Sequence, residues 1–397
     1  MCQPGGVHGD NPYLVERLQG LGTTIFTEMT ALAAETGAIN LGQGMPDTNG
    51  PDEIMAVVAD AMAAGHNQYP PLPGMSVLRQ AIAEHQQRFY GLDYDPDTEI
   101  QVTMGASEAL TAAVLALCER GDEVVMFEPY FDIYAAHCAL AGATRRVVTL
   151  RQPDYAFDPD ELAAAIGPRT RLLILNTPHN PTGKVFDRDE LTTIAELCIE
   201  HDVLVISDEV YEHMVFDDRV HIPIATLPGM HERTITISSA GKTFSFTGWK
   251  VGWACAPAAL VEAVRTVKQN LTFAGGTPFQ PAVAHGLRMG DAYFHDLAHD
   301  LQDKRDHLSS ALAEVGFEVF VPEGTYFVTI DVSSIGETDG LDFCRSLPER
   351  CGVVAVPSVV FYDNADVGRS LVRFTFCKQK DVLDEAVARL RSLAGTS

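Results

Sequence analysis

The stretch Ser238-Ser-Ala-Gly-Lys-Thr-Phe-Ser-Phe-Thr-Gly-Trp-Lys250 holds a lysine, Lys242, among residues small enough to let a bulky ligand approach the backbone. It follows an alternating run, Thr234-Ile-Thr-Ile-Ser238, that reads as a strand. A lysine just past a strand lies where open α/β sheets bind their ligands, and its amine can attack a carbonyl carbon. Gly241-Lys-Thr could instead be the tail of a phosphate-binding loop, but that motif needs a glycine where Thr236 stands. A surface lysine is the remaining alternative, so the rest of the chain decides.

Three further stretches fall at the ends of predicted strands. Thr103-Met-Gly-Ala-Ser-Glu-Ala-Leu110 reads as a strand turning through Gly105 into a helix capped by Ser107, a ready anion site. It is not a nucleophile elbow, since Ala109 stands where the second glycine belongs. Asn176-Thr-Pro-His-Asn-Pro-Thr-Gly183 is a turn that offers the Asn180 amide to the crevice; His179 reads as incidental. Val203-Leu-Val-Ile-Ser-Asp-Glu-Val-Tyr211 ends an apolar strand on Asp208, a desolvated carboxylate that needs a partner such as a protonated ring nitrogen. Tyr211 could reach the same ligand. An anion nest, an amide donor, an Asp–Tyr pair and a lysine nucleophile are the parts that a phosphorylated pyridine aldehyde requires.

The elements that must position these groups alternate. Strand-like runs at 100–104, 123–127, 145–150, 171–176, 203–207, 234–238 and 252–256 are separated by helical patterns such as 107–119, 131–140 and 188–201. That order predicts a mostly parallel sheet with helices on both faces. Before it, helical periodicity covers 25–36, 52–64 and 75–90, and Gly42-x-Gly44 is no dinucleotide fingerprint because Asp47 replaces its third glycine. After it, a helical region at 258–288 and a long one at 291–315 lead to runs at 317–321, 326–331, 353–356 and 371–376, with helices near 341–350 and 380–393. The division predicted is an N-terminal arm and segment (1–48, with 1–12 a loose arm), a large domain (49–288) and a smaller α+β domain (289–397).

Composition narrows the function. The chain of 397 residues carries 28 Lys+Arg against 54 Asp+Glu, a formal net charge of −26. Such an excess repels nucleic acid and anionic membranes, so neither is expected as a partner. Eight scattered cysteines without a Cys-x-x-Cys pair, no signal-peptide pattern and no apolar run of membrane length predict a soluble cytoplasmic protein with reduced thiols. No metal site is expected.

The set Asn180-Pro-Thr-Gly183, Ser207-Asp-Glu-Val-Tyr211, Ser239-x-x-Lys242-Thr-Phe-Ser and Thr247-Gly-Trp-Lys250 resembles the class I aminotransferases of the fold-type-I pyridoxal-phosphate superfamily, over nearly the whole chain. The resemblance implies Lys242 as the lysine carrying the cofactor, Asp208 at its ring nitrogen, and Asn180 and Tyr211 at its phenolic oxygen. It implies Ala106, Ser107, Ser239 and Lys250 near the phosphate and Phe131 stacked on the ring. Phe131 and Lys250 depart from the Trp and Arg of the aspartate-specific branch and point to the kynurenine/glutamine type. Tyr69 resembles the residue that reaches the neighbouring subunit's phosphate, which implies a homodimer with a shared active site. Arg373, in the apolar run Leu371-Val-Arg-Phe-Thr375, is a costly buried cation without an anion. The resemblance makes it the clamp for a substrate α-carboxylate, assisted by Gly44 and Asn180, with Phe26 lining the pocket.

The activity implied is ping-pong transamination between an L-amino acid and a 2-oxo acid. Within the family the likeness runs to actinobacterial N-succinyldiaminopimelate aminotransferases of lysine biosynthesis, with 2-oxoglutarate as acceptor. Motifs do not separate these from kynurenine, glutamine or methionine aminotransferases, nor from a cysteine-S-conjugate β-lyase using the same lysine. A transcription regulator on this fold would need a basic helix-turn-helix domain that the acidic, short N-terminus does not provide.

Overall fold

The computed structural model describes residues 11–19, 21 and 24–395. Most of the arm expected over 1–12, with Cys2, lies outside them. The first strands in the chain are β1 (Ile39–Asn40), β2 (Ile100–Met104), β3 (Glu123–Glu128), β4 (Thr144–Thr149) and β5 (Thr170–Asn176). They continue with β6 (Leu204–Asp208), β7 (Thr234–Ser239), β8 (Val251–Cys255), β9 (Glu318–Phe320) and β10 (Phe327–Asp331). The last are β11 (Val353–Val354), β12 (Val356–Pro357) and β13 (Leu371–Thr375).

Seven strands form one sheet in the order β2-β8-β7-β6-β5-β3-β4. Only β8 runs against its neighbours; the β7–β6, β6–β5, β5–β3 and β3–β4 pairs are parallel. The parallel strands read as apolar runs because helices cover both faces. Val125, Leu173 and Val205 face one cluster of core residues, while Val124, Leu172 and Ile206 face another. Each predicted strand lies within two residues of an observed one.

The second sheet has the order β12-β13-β10-β9, antiparallel throughout, and β1 pairs in parallel with β11. The N-terminal segment is thereby tied to the C-terminal third of the chain. Val328, Ile330, Phe374 and Phe376 share one core cluster with the Val205 face of the large sheet, so apolar packing runs unbroken between the two sheets.

Two local readings need correction. Ser107 does not cap its helix: the helix is Ala106–Leu117, and Gly105 takes the cap position at φ 74°. That left-handed backbone is what a glycine allows, and it leaves the Ser107 hydroxyl free of capping duty in the first turn. The helical region expected over 258–288 is two helices, Ala258–Leu271 and Phe279–Leu287. The break falls where Phe273 and Gly276 adopt φ of 61° and 66°, followed by Pro278.

Candidate active site

The β strands deliver their ends to one cavity of about 420 Å³. It is lined by Lys242, Asp208, Tyr211, Asn180, Ser239 and Lys250, by Ala106, Ser107 and Phe131, and by Arg373, Gly44 and Phe26. Every residue singled out in the sequence as cofactor- or substrate-binding is therefore in one place, except Tyr69. Tyr69 is 78 % exposed and lies edge-on to Phe273, outside this cavity.

Lys242 sits in the short helix Ala240–Thr243 directly after β7. Burial lowers the pKa of its amine, which favours the neutral nucleophile. The amine donates to the Tyr326 hydroxyl at 3.0 Å and lies over the rings of Tyr211 and Tyr326. Asp208 ends β6 and is buried; its carboxylate accepts from the Tyr134 hydroxyl at 2.7 Å. Burial pushes that carboxyl up to about 6, with the Tyr134 bond pulling the other way. A buried carboxylate beside a cavity is matched by a cationic N–H, such as a pyridinium. Asn176 holds the neighbouring turn, accepting from Asn180 N at 2.7 Å and donating to Asp208 O at 2.9 Å.

At another wall the N-terminus of the helix Ala106–Leu117 meets Lys250. Lys250 itself is left-handed, at φ 54°, a strained setting for a lysine, and no carboxylate pairs with it among the described residues. The backbones crowd here: a Cβ on Gly252 would stand 2.6 Å from Ala106 N, and one on Gly105 3.2 Å from Lys250 Nζ. Free N–H groups, the Ser107 and Ser239 hydroxyls and an unpaired ammonium form a cradle for a phosphate dianion.

The cavity is also lined by Arg373 on β13, 1 % exposed. It donates to Asn180 Oδ1 at 3.0 Å and Gly42 O at 2.9 Å, and its Nε has no partner. Phe327, Phe361 and Phe26 surround the guanidinium, the nearest ring centroid at 4.0 Å. Burial lowers its pKa to about 10, and no carboxylate forms an ion pair with it among the described residues. A buried guanidinium with only neutral acceptors is poised for a carboxylate ligand.

Sequence reasoning missed Tyr134 and Tyr326. Tyr134 stands in the first turn of the helix Ile133–Ala141, just past Phe131, and the two rings lie edge-on at 6.0 Å. Tyr326, just ahead of β10, stands in no motif. His179 proves structural: it is buried, bonded to Thr182 Oγ1 at 2.8 Å, and depressed by burial to about 3. His85, Glu212 and His213 are compact enough to suggest a metal, their ligand atoms lying within 4.8 Å of one another. The two imidazole Nε2 atoms are 2.7 Å apart, a hydrogen bond. Two imidazoles on one zinc ion stand further apart, about 3.3 Å.

A lysine nucleophile, a buried carboxylate, a phosphate cradle and an unpaired arginine around one cavity define an enzyme that handles amino acids through a phosphorylated aldehyde cofactor. Residues 36–390 match the family model for class I and II aminotransferases. The chain is 51 % identical over 391 residues to a probable N-succinyldiaminopimelate aminotransferase of Mycobacterium tuberculosis, covering 96 % of this chain and 98 % of that one. It is 42 % identical to the methionine aminotransferase of Escherichia coli, covering 97 % and 100 %. The solved N-succinyldiaminopimelate aminotransferase of M. tuberculosis superposes with a TM-score of 0.93 at 52 % identity, covering 96 % of this chain and all of that one. The chain belongs to the class I and II aminotransferase family and is a pyridoxal-phosphate-dependent aminotransferase of fold type I. No helix among the described residues is long and apolar enough to cross a membrane.

Proposed function

We propose that this enzyme moves the amino group of N-succinyldiaminopimelate to 2-oxoglutarate, in lysine biosynthesis. The observation that carries the site assignment is Arg373, a buried cation that makes no ion pair among the described residues and lines the same cavity as Lys242 and Asp208. Its free edge would hold the substrate α-carboxylate, with Asn180 keyed to it through Oδ1 and so presenting its amide N–H₂ to the cavity. Bound pyridoxal phosphate supplies an aldehyde for covalent attachment and a ring that delocalises electrons. Lys242 is its attachment point and, when free, the base that carries the α-proton. Asp208 keeps a negative charge at the ring-nitrogen end, and Tyr211 and Asn180 serve the phenolic-oxygen side. Ala106 N, Ser107, Ser239 and Lys250 would hold the phosphate, Phe131 would pack against the ring, and Phe26 and Gly44 would border the substrate.

The M. tuberculosis relative supports this substrate. A second reading, an aminotransferase for methionine, kynurenine or glutamine, or a β-lyase for cysteine conjugates, is favoured by the apolar lining of Phe26, Met45, Phe131 and Phe327. We further propose a homodimer in which the exposed Tyr69 serves the neighbouring subunit's phosphate site. A cytoplasmic setting is supported by the seven described cysteines, all free thiols. The division at 48 and 288 is supported by the large sheet lying within 100–255 and the four-stranded one within 318–375.

A single-turnover panel of amino donors on the holoenzyme, following loss of the cofactor's visible band, tests the substrate. Fast reaction of N-succinyldiaminopimelate, with glutamate formed from 2-oxoglutarate, is expected. Preference for methionine, kynurenine or glutamine moves the enzyme to the second reading, and pyruvate release from a cysteine conjugate moves it to the lyase.

A further inference from the structure

The Tyr326 hydroxyl joins two parts of the chain that are far apart in sequence. It donates to Gly44 O at 2.8 Å, a residue 282 positions away, and accepts an N–H of Lys242 at 3.0 Å. On the Gly44 contact the direction is fixed by chemistry: a backbone carbonyl only accepts, so the phenol is the donor there. What Lys242 meets is therefore an oxygen lone pair. The ring is 1 % exposed and is held edge-on to Tyr211 with centroids 5.3 Å apart. Gly44 can come this close because it lacks a side chain. A Cβ there would stand 2.8 Å from Tyr326 Cε2 and 2.5 Å from Phe327 Cζ.

We propose that Tyr326 is a positioning residue for proton transfer, holding the free Lys242 amine by one N–H so that the nitrogen lone pair is directed away from Tyr326, toward the substrate α-carbon. The inference rests on the reading of Lys242 as the base. In that step the α C–H bond breaks, the proton goes to the lysine nitrogen, and the bonding electron pair passes into the bound cofactor's conjugated system. Tyr326 neither gives nor takes a proton. It accepts an N–H before transfer from the amine and after transfer from the ammonium, so one contact serves both ends of the step. Burial raises its pKa, which keeps the phenol protonated and the relay in one direction.

Tyr326→Phe removes the hydroxyl and keeps the ring that packs on Tyr211. On the purified holoenzyme, kcat is expected to fall about 10- to 100-fold with KM within about threefold, the scale of a displaced base rather than a lost one. The primary isotope effect with α-deuterated donor should rise, because proton transfer becomes more limiting. The pH titration of the cofactor's visible band should move to lower pH, since the lysine nitrogen's protonated form loses an acceptor. Full cofactor content by absorbance confirms that the variant is folded. Unchanged kcat, isotope effect and band titration overturn the proposal. So does a loss confined to KM and cofactor content, the mark of a packing role. If the wild-type enzyme removes no α-proton from any donor, the reading of Lys242 falls and takes this proposal with it. If the wild type does so and Tyr326→Phe matches it, only Tyr326 falls.

Discussion

The segment Ser207–His213 builds two buried polar regions that differ in one respect, what they face. Asp208 faces the cavity, and among the described residues its one side-chain hydrogen-bond partner is the Tyr134 hydroxyl. Glu209 and Glu212 turn into the interior. There Glu209 accepts from Ser207 Oγ and pairs with His221, while Glu212 accepts from Ser238 Oγ and His213 pairs with His85. Burial raises both Asp208, to about 6, and Glu212, to about 7. A perturbed carboxyl is thus no mark of function by itself. The difference lies in access: one group has a ligand-sized void beside it, and the other is closed in by protein. Substitutions on the cavity side should cost turnover, and those on the interior side should cost stability.

The sharpest break is at Lys242. Lys242→Ala should abolish turnover while leaving a pocket that still binds pyridoxal phosphate through the phosphate cradle, measured by equilibrium dialysis alongside steady-state rates. Turnover within tenfold of wild type would place the chemistry elsewhere. Asp208→Asn is the next test, because it keeps the shape and removes the charge. A fall in kcat of about 10²- to 10³-fold is expected, the scale seen when one preorganised electrostatic group is lost. The urea midpoint should stay near that of wild type. If stability falls and the rate does not, Asp208 belongs with Glu212 and the contrast collapses.

The sequence showed the cavity side more fully than the interior. Lys242, Asp208, Asn180 and Ser107 each sit at a strand end or a turn, where local residue types announce the geometry. Arg373 stood out because a guanidinium between apolar neighbours is conspicuous. Ser107 was assigned the wrong local role, since the positive φ of Gly105 that displaces it from the cap does not show in residue type. The interior network was illegible. Its His85–His213 contact joins residues 128 apart in sequence, and neither stands in a motif. Tyr326 was invisible for the same reason, its two partners arriving from Gly44 and Lys242.

The last test lies with the paired histidines and is read as the pH dependence of stability, with no change expected in turnover. Burial depresses His85 to about 3 and holds His213 well below its ordinary value, so both are neutral in the folded protein well below the ordinary histidine value of 6.5. The unfolded chain takes up a proton at each below 6.5, so it binds more protons than the folded state. Stability from this pair is therefore present above 6.5 and is lost as pH falls toward 3, at up to about 1.4 kcal/mol per pH unit for each histidine. Glu212 has the opposite sign. Its folded pKa is raised to about 7 from an ordinary 4.5, so its contribution is present below 4.5 and lost as pH rises through 7. Between pH 4.5 and 6.5 the two effects oppose each other, and Glu212→Gln should steepen the acid loss by removing the compensating term. Urea midpoints of both proteins at half-unit steps from pH 4.5 to 7.5 measure this. Histidine ring resonances at His85 and His213 that stay neutral down to pH 5 would match the buried pair. A histidine that titrates near 6.5 would open the interior side to solvent and erase its difference from the cavity side.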